Sequence, residues 1–133
     1  MEASVSARLG SQWRADLAYT YVKSVQNGAQ EVRRAPNIAS LNVSWRAPDE
    51  KFGVNATVRY NGEQKDFQFT PFGSNRVNLS SYTLINLGAD YRINETWQLY
   101  GRVENLLDKK YEEVFSFRGV GRAFYAGIRA QIP

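Results

Sequence analysis

Apolar and polar residues alternate with a period of two along most of this chain. Because successive side chains of a β-strand point to opposite faces, the alternation predicts strands with one apolar and one polar face. Seven segments follow it, and their apolar positions run from Val5 to Leu9, Trp13 to Tyr21, Ala39 to Trp45, Val54 to Tyr60, Ile85 to Tyr91, Trp97 to Val103 and Phe124 to Ile132. No segment has a convincing helical period, so the sequence predicts an all-β fold.

The links between these segments alternate in length. Tight turns are expected at 10–12, 48–51 and 93–95, and long links at 24–36, 62–80 and 106–121. Short turns on one rim and long loops on the other are typical of an antiparallel outer-membrane barrel, whereas soluble meanders tend to use short hairpins at both ends.

The apolar face points inward in a soluble lipocalin-like barrel and outward, to lipid, in a membrane barrel. Two observations favour the membrane. The middles of the stripes are Ala, Leu and Val, which would fill a soluble core poorly. Aromatic residues stand at the stripe ends, as interfacial girdles require: Trp13, Tyr21, Trp45, Tyr60, Tyr91, Trp97 and Phe124.

Charged residues occupy the polar positions. An Arg facing the bilayer midplane would cost about 2–4 kcal/mol, so in a membrane barrel these residues face the lumen, where they can pair across strands. The candidate lumen-facing charges are Arg59, Asp90, Arg92, Arg102, Glu104 and Arg129. The preferred interpretation of each single residue is a solvated or ion-paired charge, and none is individually a site.

The 133 residues form one domain or a piece of one. Their composition limits the kinds of catalytic and metal site that the chain can form. The chain has no Cys and no His. Disulfides, thiolate metal sites and a Ser-His catalytic arrangement are therefore impossible, and we expect no enzyme, no metal site and no cofactor. The net charge of +4 is spread along the chain, which argues against nucleic-acid binding.

The sequence shows neither a membrane helix nor a signal peptide. No apolar run approaches about 18 residues, and Met1 leads directly into Glu-Ala-Ser-Val. Either the protein is cytosolic or an N-terminal part has been removed.

Two motifs near the C-terminus carry a family resemblance. "NLLDKKY" (105–111) precedes "GRAFYAGIRAQI" (121–132), and together they resemble the end of a TonB-dependent outer-membrane receptor, closest to the vitamin B12 transporter branch. "SARLGSQWRADLAYTYVKS", "RRAPNIASLNVSW" and "SYTLINLGADYRINETWQLYGRVENLLDKKY" are similar to a wall hairpin, a strand entry and the penultimate hairpin. The resemblance covers essentially the whole chain.

The resemblance implies a barrel of about 22 strands closed by an N-terminal plug, with energy coupling through TonB. Residues 1–133 then form the C-terminal segment, about a third of that barrel, without plug or signal peptide. Since an odd number of strands leaves the N-terminus on the loop side, we expect an excised or split fragment. The implied function is import of cobalamin or a ferric siderophore, and the implied partners are outer-membrane lipid, the remaining barrel and plug, TonB and the barrel-assembly machinery.

The resemblance also gives the last strand a role. It would pair with the first strand to close the barrel, and its apolar alternation would be read by the barrel-assembly machinery through Phe124, Ala126, Ile128, Ala130 and Ile132. The family usually ends in an aromatic residue, whereas this chain ends in Ile132-Pro133, a departure that puts efficient assembly in question; Pro is tolerated at a strand margin.

Two long links combine aromatic residues with Arg, which suits a bulky, partly anionic ligand. The ligand-contact candidates are Phe67, Phe69, Phe72, Arg76, Phe115, Phe117 and Arg118. The competing interpretation is that these aromatics pack loop on loop or extend strands above the membrane.

Three hypotheses remain open from the sequence. The first is a segment of a transport receptor in the bacterial outer membrane. The second is a small barrel that is self-contained or closed by oligomerisation. The third is a soluble, lipocalin-like binder with an apolar interior.

Overall fold

A computed structural model describes residues 1–131, and Ile132 and Pro133 lie outside the described part. Thirteen strands form, and no helix in that range is long and apolar enough to cross a bilayer. The strands are β1 (Glu2–Leu9), β2 (Trp13–Tyr21), β3 (Val25–Gln26), β4 (Ala29–Gln30), β5 (Asn37–Arg46), β6 (Phe52–Asn61), β7 (Gln64–Thr70), β8 (Gly73–Leu79), β9 (Tyr82–Arg92), β10 (Trp97–Glu104), β11 (Glu112–Val114), β12 (Phe117–Arg118) and β13 (Ala123–Ala130).

The main sheet confirms the seven predicted strands. Its order is β1-β2-β5-β6-β9-β10-β13, and every neighbouring pair is antiparallel. The predicted tight turns lie together on one edge, here called the turn rim, and the long links lie on the opposite edge, the loop rim. Glu2 pairs with Thr20 beside the first long link, so the chain enters the sheet at the loop rim, as strand parity predicts.

The remaining six strands were not predicted. They form three small hairpins, β3-β4, β7-β8 and β11-β12, one within each long link. Each hairpin extends the chain beyond the main sheet at the loop rim. The three hairpins are separate two-stranded sheets and do not pair with the seven strands of the main sheet.

The register brings the apolar stripes of the seven strands side by side. Trp45 pairs with Val54, Val54 with Ala89, Ala89 with Gly101, and Gly101 with Ala126. A shift by one residue would turn every stripe over, so the pattern fixes the register. No part of residues 1–131 covers this surface, here called the apolar face, whose exposed side chains include Val5, Leu17, Leu41 and Ile128.

Aromatic residues border the apolar face at both rims. At the turn rim the rings of Trp13 and Trp45 lie 6.3 Å apart, and those of Trp45 and Phe52 lie 6.2 Å apart. At the loop rim Tyr19 and Tyr60 both pair with Ala39. The placement at stripe ends expected for membrane girdles is thus confirmed.

The opposite surface, here called the polar face, carries ion pairs that cross strands. Arg46 on β5 reaches over β6 to Asp90 on β9 with two bonds of 3.0 Å, and Gln98 donates to the same carboxylate at 2.8 Å. A Cβ at Gly53 would stand 2.6 Å from the Arg46 guanidinium. The absence of a side chain at Gly53 therefore leaves the path for the ion pair.

All six candidate lumen charges lie at polar-face positions. Arg102 pairs with Glu104 at 3.3 Å and stacks over Tyr125 at 4.4 Å, while Arg129 lies 5.6 Å from the centre of the Tyr100 ring. Arg59 and Arg92 stand opposite Ser40 and Gln98, respectively, and Asp90 accepts the Arg46 pair described above. That this face lines a lumen stays a prediction.

The few buried side chains gather at the loop rim. Tyr82 and Leu84 share the polar face with Asp90, since they alternate with the apolar residues of β9. Both are buried, and Tyr82 contacts Glu113 and Tyr111 of the third long link. The packed core of the described residues therefore lies over the polar face at the loop rim, and its members are Ala35, Gln64, Asp66, Leu79, Tyr82, Leu84 and Asn105.

Candidate functional site

The three long links, residues 22–36, 62–81 and 105–122, bind one another and are here called the loop cluster. The Arg33 N–H donates to the Lys65 carbonyl at 2.7 Å and joins the first link to the second. The Gln64 amide donates to the Glu113 carbonyl at 2.7 Å and joins the second link to the third. The links therefore form one packed unit.

Asp66 holds the centre of the loop cluster. Its side chain is 0% exposed and accepts hydrogen bonds from all three links. Arg33 Nε donates at 2.9 Å, the Phe67 N–H at 2.8 Å and the Phe115 N–H at 2.7 Å. A buried carboxylate is stable only with such compensation, so the contacts of Asp66 fix where the links meet.

These contacts also determine the ionisation of Asp66. Burial alone would raise the pKa of its carboxyl group. The N–H groups of Phe115 and Phe67 and the Arg33 guanidinium outweigh that effect and hold the pKa below its usual range. Asp66 is therefore the charged acceptor near neutral pH.

The third link is anchored to the wall through aromatic residues. Tyr82 donates its hydroxyl to a Glu113 carboxylate oxygen at 2.9 Å, and its ring lies 4.5 Å from that of Tyr111. Tyr111 in turn lies directly over Gly119, where a Cβ would come within 2.1 Å of the ring. The loop cluster therefore lies over the polar face at the loop rim.

The sequence candidates of the second link lie on the β7-β8 hairpin. Arg76 lies 5.6 Å from the Phe67 ring centre, and the Phe67 and Phe69 rings are 6.2 Å apart. Phe67 is partly buried by this packing, as the loop-packing alternative predicts. Phe69 is 74% exposed and Phe72, at the hairpin tip, is fully exposed.

The candidates of the third link also include both partly buried and exposed side chains. The Phe115 backbone is tied to Asp66 and its side chain is half-buried, whereas Phe117 is 73% exposed and Arg118 is exposed. Phe115 and Arg118 line one side of a crevice of about 290 Å³ between the β8-β9 link and the third link. The structure therefore brings these two candidates together, and Phe69, Phe72 and Phe117 remain as separate apolar contacts.

The crevice contains residues that the sequence did not single out as site residues. Its other lining residues include Lys109, Lys110 and Glu112, so three cationic residues and one acidic residue border it together with Tyr82 and Tyr111. The segment "DKKY" contains both lysines, but it was used only as evidence for the family resemblance. Within residues 1–131 no cluster of three or more carboxylates could hold a metal ion.

Asn105 explains why the "NLLD" motif has its form. Its amide donates to the Lys109 carbonyl at 2.9 Å and the Val120 carbonyl at 3.1 Å, and its side-chain oxygen accepts the Lys109 N–H at 2.8 Å. Asp108 then accepts the Arg122 N–H at 2.9 Å. Asn105 adopts a positive φ of 49°, which Asn tolerates better than most residues. The motif closes the base of the third link.

Known proteins match both the sequence and the fold. The vitamin B12 transporter BtuB of Photobacterium profundum is 29% identical over 113 residues, covering 84% of this chain and 18% of the relative. BtuB of Vibrio vulnificus is 32% identical over 97 residues, covering 68% and 15%. The matched part of the chain spans about a sixth of the length of these relatives.

Solved structures show the same fold. FpvA of Pseudomonas aeruginosa bound to pyoverdine gives a TM-score of 0.83 at 22% identity, covering 97% of this chain and 19% of FpvA. The ferric-catecholate receptor Fiu of E. coli K12 gives 0.80 at 20% identity, covering 97% and 20%. The family model "TonB dependent receptor-like, beta-barrel" matches residues 1–106. The resemblance is confirmed: this chain belongs to the TonB-dependent receptor β-barrel family and forms part of a barrel in the bacterial outer membrane.

Proposed function

We propose that the chain forms one wall of an active-transport receptor that imports a large, scarce nutrient by TonB coupling. The observation that carries the proposal is the loop cluster, which leans over the polar face at the loop rim of a membrane-type sheet. In such barrels the longer loops are extracellular. The cluster therefore stands where a nutrient would first meet the receptor, and the polar face would line its route.

The remainder of the barrel is required by this proposal. Within residues 1–131, β1 and β13 are the two edges of the sheet and do not pair with each other. We infer that further strands close the barrel around a plug, that TonB acts through an N-terminal part, and that the barrel-assembly machinery uses the apolar positions of β13. Phe124, Ala126, Ile128 and Ala130 do share one face of that strand, while Ile132 lies outside the described residues.

The proposed nutrient contacts combine aromatic surface with positive charge. Phe69, Phe72 and Phe117 offer exposed rings, and the crevice adds Lys109, Lys110 and Arg118. Rings and cations suit a bulky ligand with anionic groups. Receptor binding and transport need no catalytic group, and we assign none.

The comparisons favour two nutrient classes. The relatives by sequence are named as vitamin B12 transporters, whereas the structural neighbours bind pyoverdine or are ferric enterobactin receptors. We propose cobalamin or a ferric siderophore as the cargo on this basis.

Uptake by the complete receptor tests the proposal. Cells that lack their own receptors are given the receptor that carries this segment, and uptake of radiolabelled cobalamin and ferric siderophore is measured separately. We expect uptake of one of them and a loss of affinity of about tenfold or more in Phe117→Ala combined with Arg118→Gln. Asp49→Asn in a tight turn at the turn rim is the matched control.

Three results would overturn the assignment. These are absence of uptake of both nutrients by a correctly assembled barrel, unchanged affinity in the double variant, and an equal loss in the control. An oligomer-closed small barrel predicts instead that the chain alone purifies in detergent as a species of defined stoichiometry.

A further inference from the structure

A groove crosses the apolar face, and small residues form its floor. Ala56, Ala89, Gly101 and Ala126 lie on four successive strands, β6, β9, β10 and β13, in two adjacent rows of the register. The groove has a volume of about 710 Å³, and the surface exposed within it is almost entirely apolar. It is distinct from the loop cluster, which lies over the other face.

Large side chains close the two ends of the groove. Trp13 and Trp45 stand at one end, beside the turn rim of β2 and β5. Phe124 stands at the other end, next to the loop rim of β13. The groove therefore crosses the strands obliquely, and its Phe124 end lies toward the loop rim, which follows from the tilt of strands in a barrel wall.

The length of the groove matches a lipid chain. Crossing from β5 to β13 takes four inter-strand steps, which is about 19 Å at the usual strand spacing. One leaflet of a hydrocarbon core about 30 Å thick needs chains of about 15 Å. A protein segment would bring backbone N–H and C=O groups into the groove, whose lining offers almost no partners for them. An acyl chain brings none.

A cation stands at the loop-rim end of the groove. The Arg122 guanidinium lies 6.0 Å from the Phe124 ring centre and is exposed. It makes no ion pair within residues 1–131, and its one side-chain hydrogen bond goes to the Leu106 carbonyl at 3.4 Å. An arginine at the outer interface attracts an anionic headgroup.

We propose that this groove and Arg122 form a binding site for one phosphate-bearing lipid of the outer leaflet. The acyl chain lies over Ala89 and Gly101, and the headgroup phosphate accepts hydrogen bonds from Arg122. The site is a specific one, in contrast to the general lipid contact of the apolar face. A second copy of the chain is a poorer occupant, because a symmetric contact would bring two Arg122 groups to one interface.

Gly101 allows the groove to be filled without disturbing the wall. A Cβ at this position would meet only the Tyr125 carbonyl oxygen at 3.8 Å, an ordinary contact. Gly101→Leu and Ala89→Leu therefore place a side chain where the acyl chain would lie. Ala15→Leu is the matched control, since Ala15 lies on the apolar face outside the groove.

Native mass spectrometry of the complete receptor in mild detergent tests the site. The protein is titrated with dioleoyl phosphatidylglycerol and, separately, with dioleoylglycerol, which has the same acyl chains and no phosphate. We expect one retained phosphatidylglycerol, bound about tenfold more weakly in Gly101→Leu and Ala89→Leu, as for the loss of roughly two buried methylene groups. Arg122→Gln should weaken the binding of phosphatidylglycerol about fivefold and leave the binding of dioleoylglycerol unchanged.

The opposite results would overturn the proposal. Retention that is unchanged by the groove variants, or reduced equally by Ala15→Leu, would mean only annular contact. A receptor dimer that is lost in Gly101→Leu, without lipid retention in the parent, would assign the groove to a second copy. Circular dichroism confirms that each variant is folded. Nutrient uptake is read separately, so failure of the lipid site and failure of the transport proposal are distinguishable.

Discussion

Replacing Asp66 by Ala should separate the third link from the second. The substitution removes the acceptor of three hydrogen bonds, but the bond from the Phe67 N–H is local and does not join links. The Phe115 bond at 2.7 Å joins the third link to the second, and the Arg33 bond at 2.9 Å joins the first link to the second. The effect on loop opening therefore depends on two interactions.

The two interactions differ in strength. The Phe115 N–H donates to a buried carboxylate, and such charge-assisted bonds contribute about 1.5–3 kcal/mol. Arg33 is 52% exposed, so its pair is screened and adds at most about 1 kcal/mol. We expect loop opening to become easier by about 2–3 kcal/mol, or roughly 30- to 150-fold in the open population. Asp66→Asn keeps one neutral acceptor and should lie between parent and Ala variant.

Hydrogen exchange of the complete receptor measures this opening. The peptide spanning 111–119 contains the Phe115 amide and should exchange faster in Asp66→Ala, whereas wall peptides from β5 and β6 should not change. Asp49→Ala is the control, because Asp49 accepts only the local Lys51 N–H in a tight turn. Unchanged exchange at 111–119 in the Asp66 variant would refute the role of this carboxylate.

The ion pairs, glycines and sheet edges described above give three more expectations. Because the folded pKa of Asp66 is lowered, its stabilisation is complete above the unfolded pKa of about 3.9 and is lost as the pH falls through the lower folded pKa. Limited digestion with pepsin should therefore cleave the loop cluster of the parent faster below about pH 4. Asp66→Asn, digested at each pH, is the reference, because it lacks this carboxyl group. Gly53→Val should lower the free energy of unfolding by about 1–3 kcal/mol, because its side chain would collide with the Arg46–Asp90 pair, whereas Gly101→Ala should be nearly neutral in the same urea titration. The isolated chain should require detergent and associate through the edges of β1 and β13; a monodisperse β-rich monomer in plain buffer, by light scattering, would contradict this.

The wall was predictable because its information is local. The alternation along Trp97 to Val103 or Phe124 to Ala130 determines which side chains share a face. Pairing between neighbouring strands then aligns their apolar positions. The turns were predictable for the same reason. The family motifs at 105–111 and 121–132 added the barrel type.

The loop hairpins left signals that sequence reasoning passed over. Asn27-Gly28 lies between β3 and β4 with φ angles of 52° and 78°, and Asn-Gly is the strongest short hairpin signal. Gly73, with a φ of 136°, opens β8 after the Pro71-Phe72 tip. Both hairpins were included in long links because the strands are short or lie outside the wall.

Asp66 could not have been identified from the pattern. It sits between Lys65 and Phe67 as a polar residue in an alternating segment, like many solvated carboxylates. Its partners Arg33 and Phe115 are 33 and 49 residues away in the sequence. Only tertiary packing shows that it is buried.

The network around Asn105 has a consequence for the order of folding. Its bonds to Lys109 and Val120 span only 4 and 15 residues, so they close a short loop at low entropic cost. Contacts of low sequence separation form early. The hairpin of β10 and β13 can therefore establish its register before strands that are farther apart in the sequence pair. The edge strand β13 is then already in register when further strands pair with it.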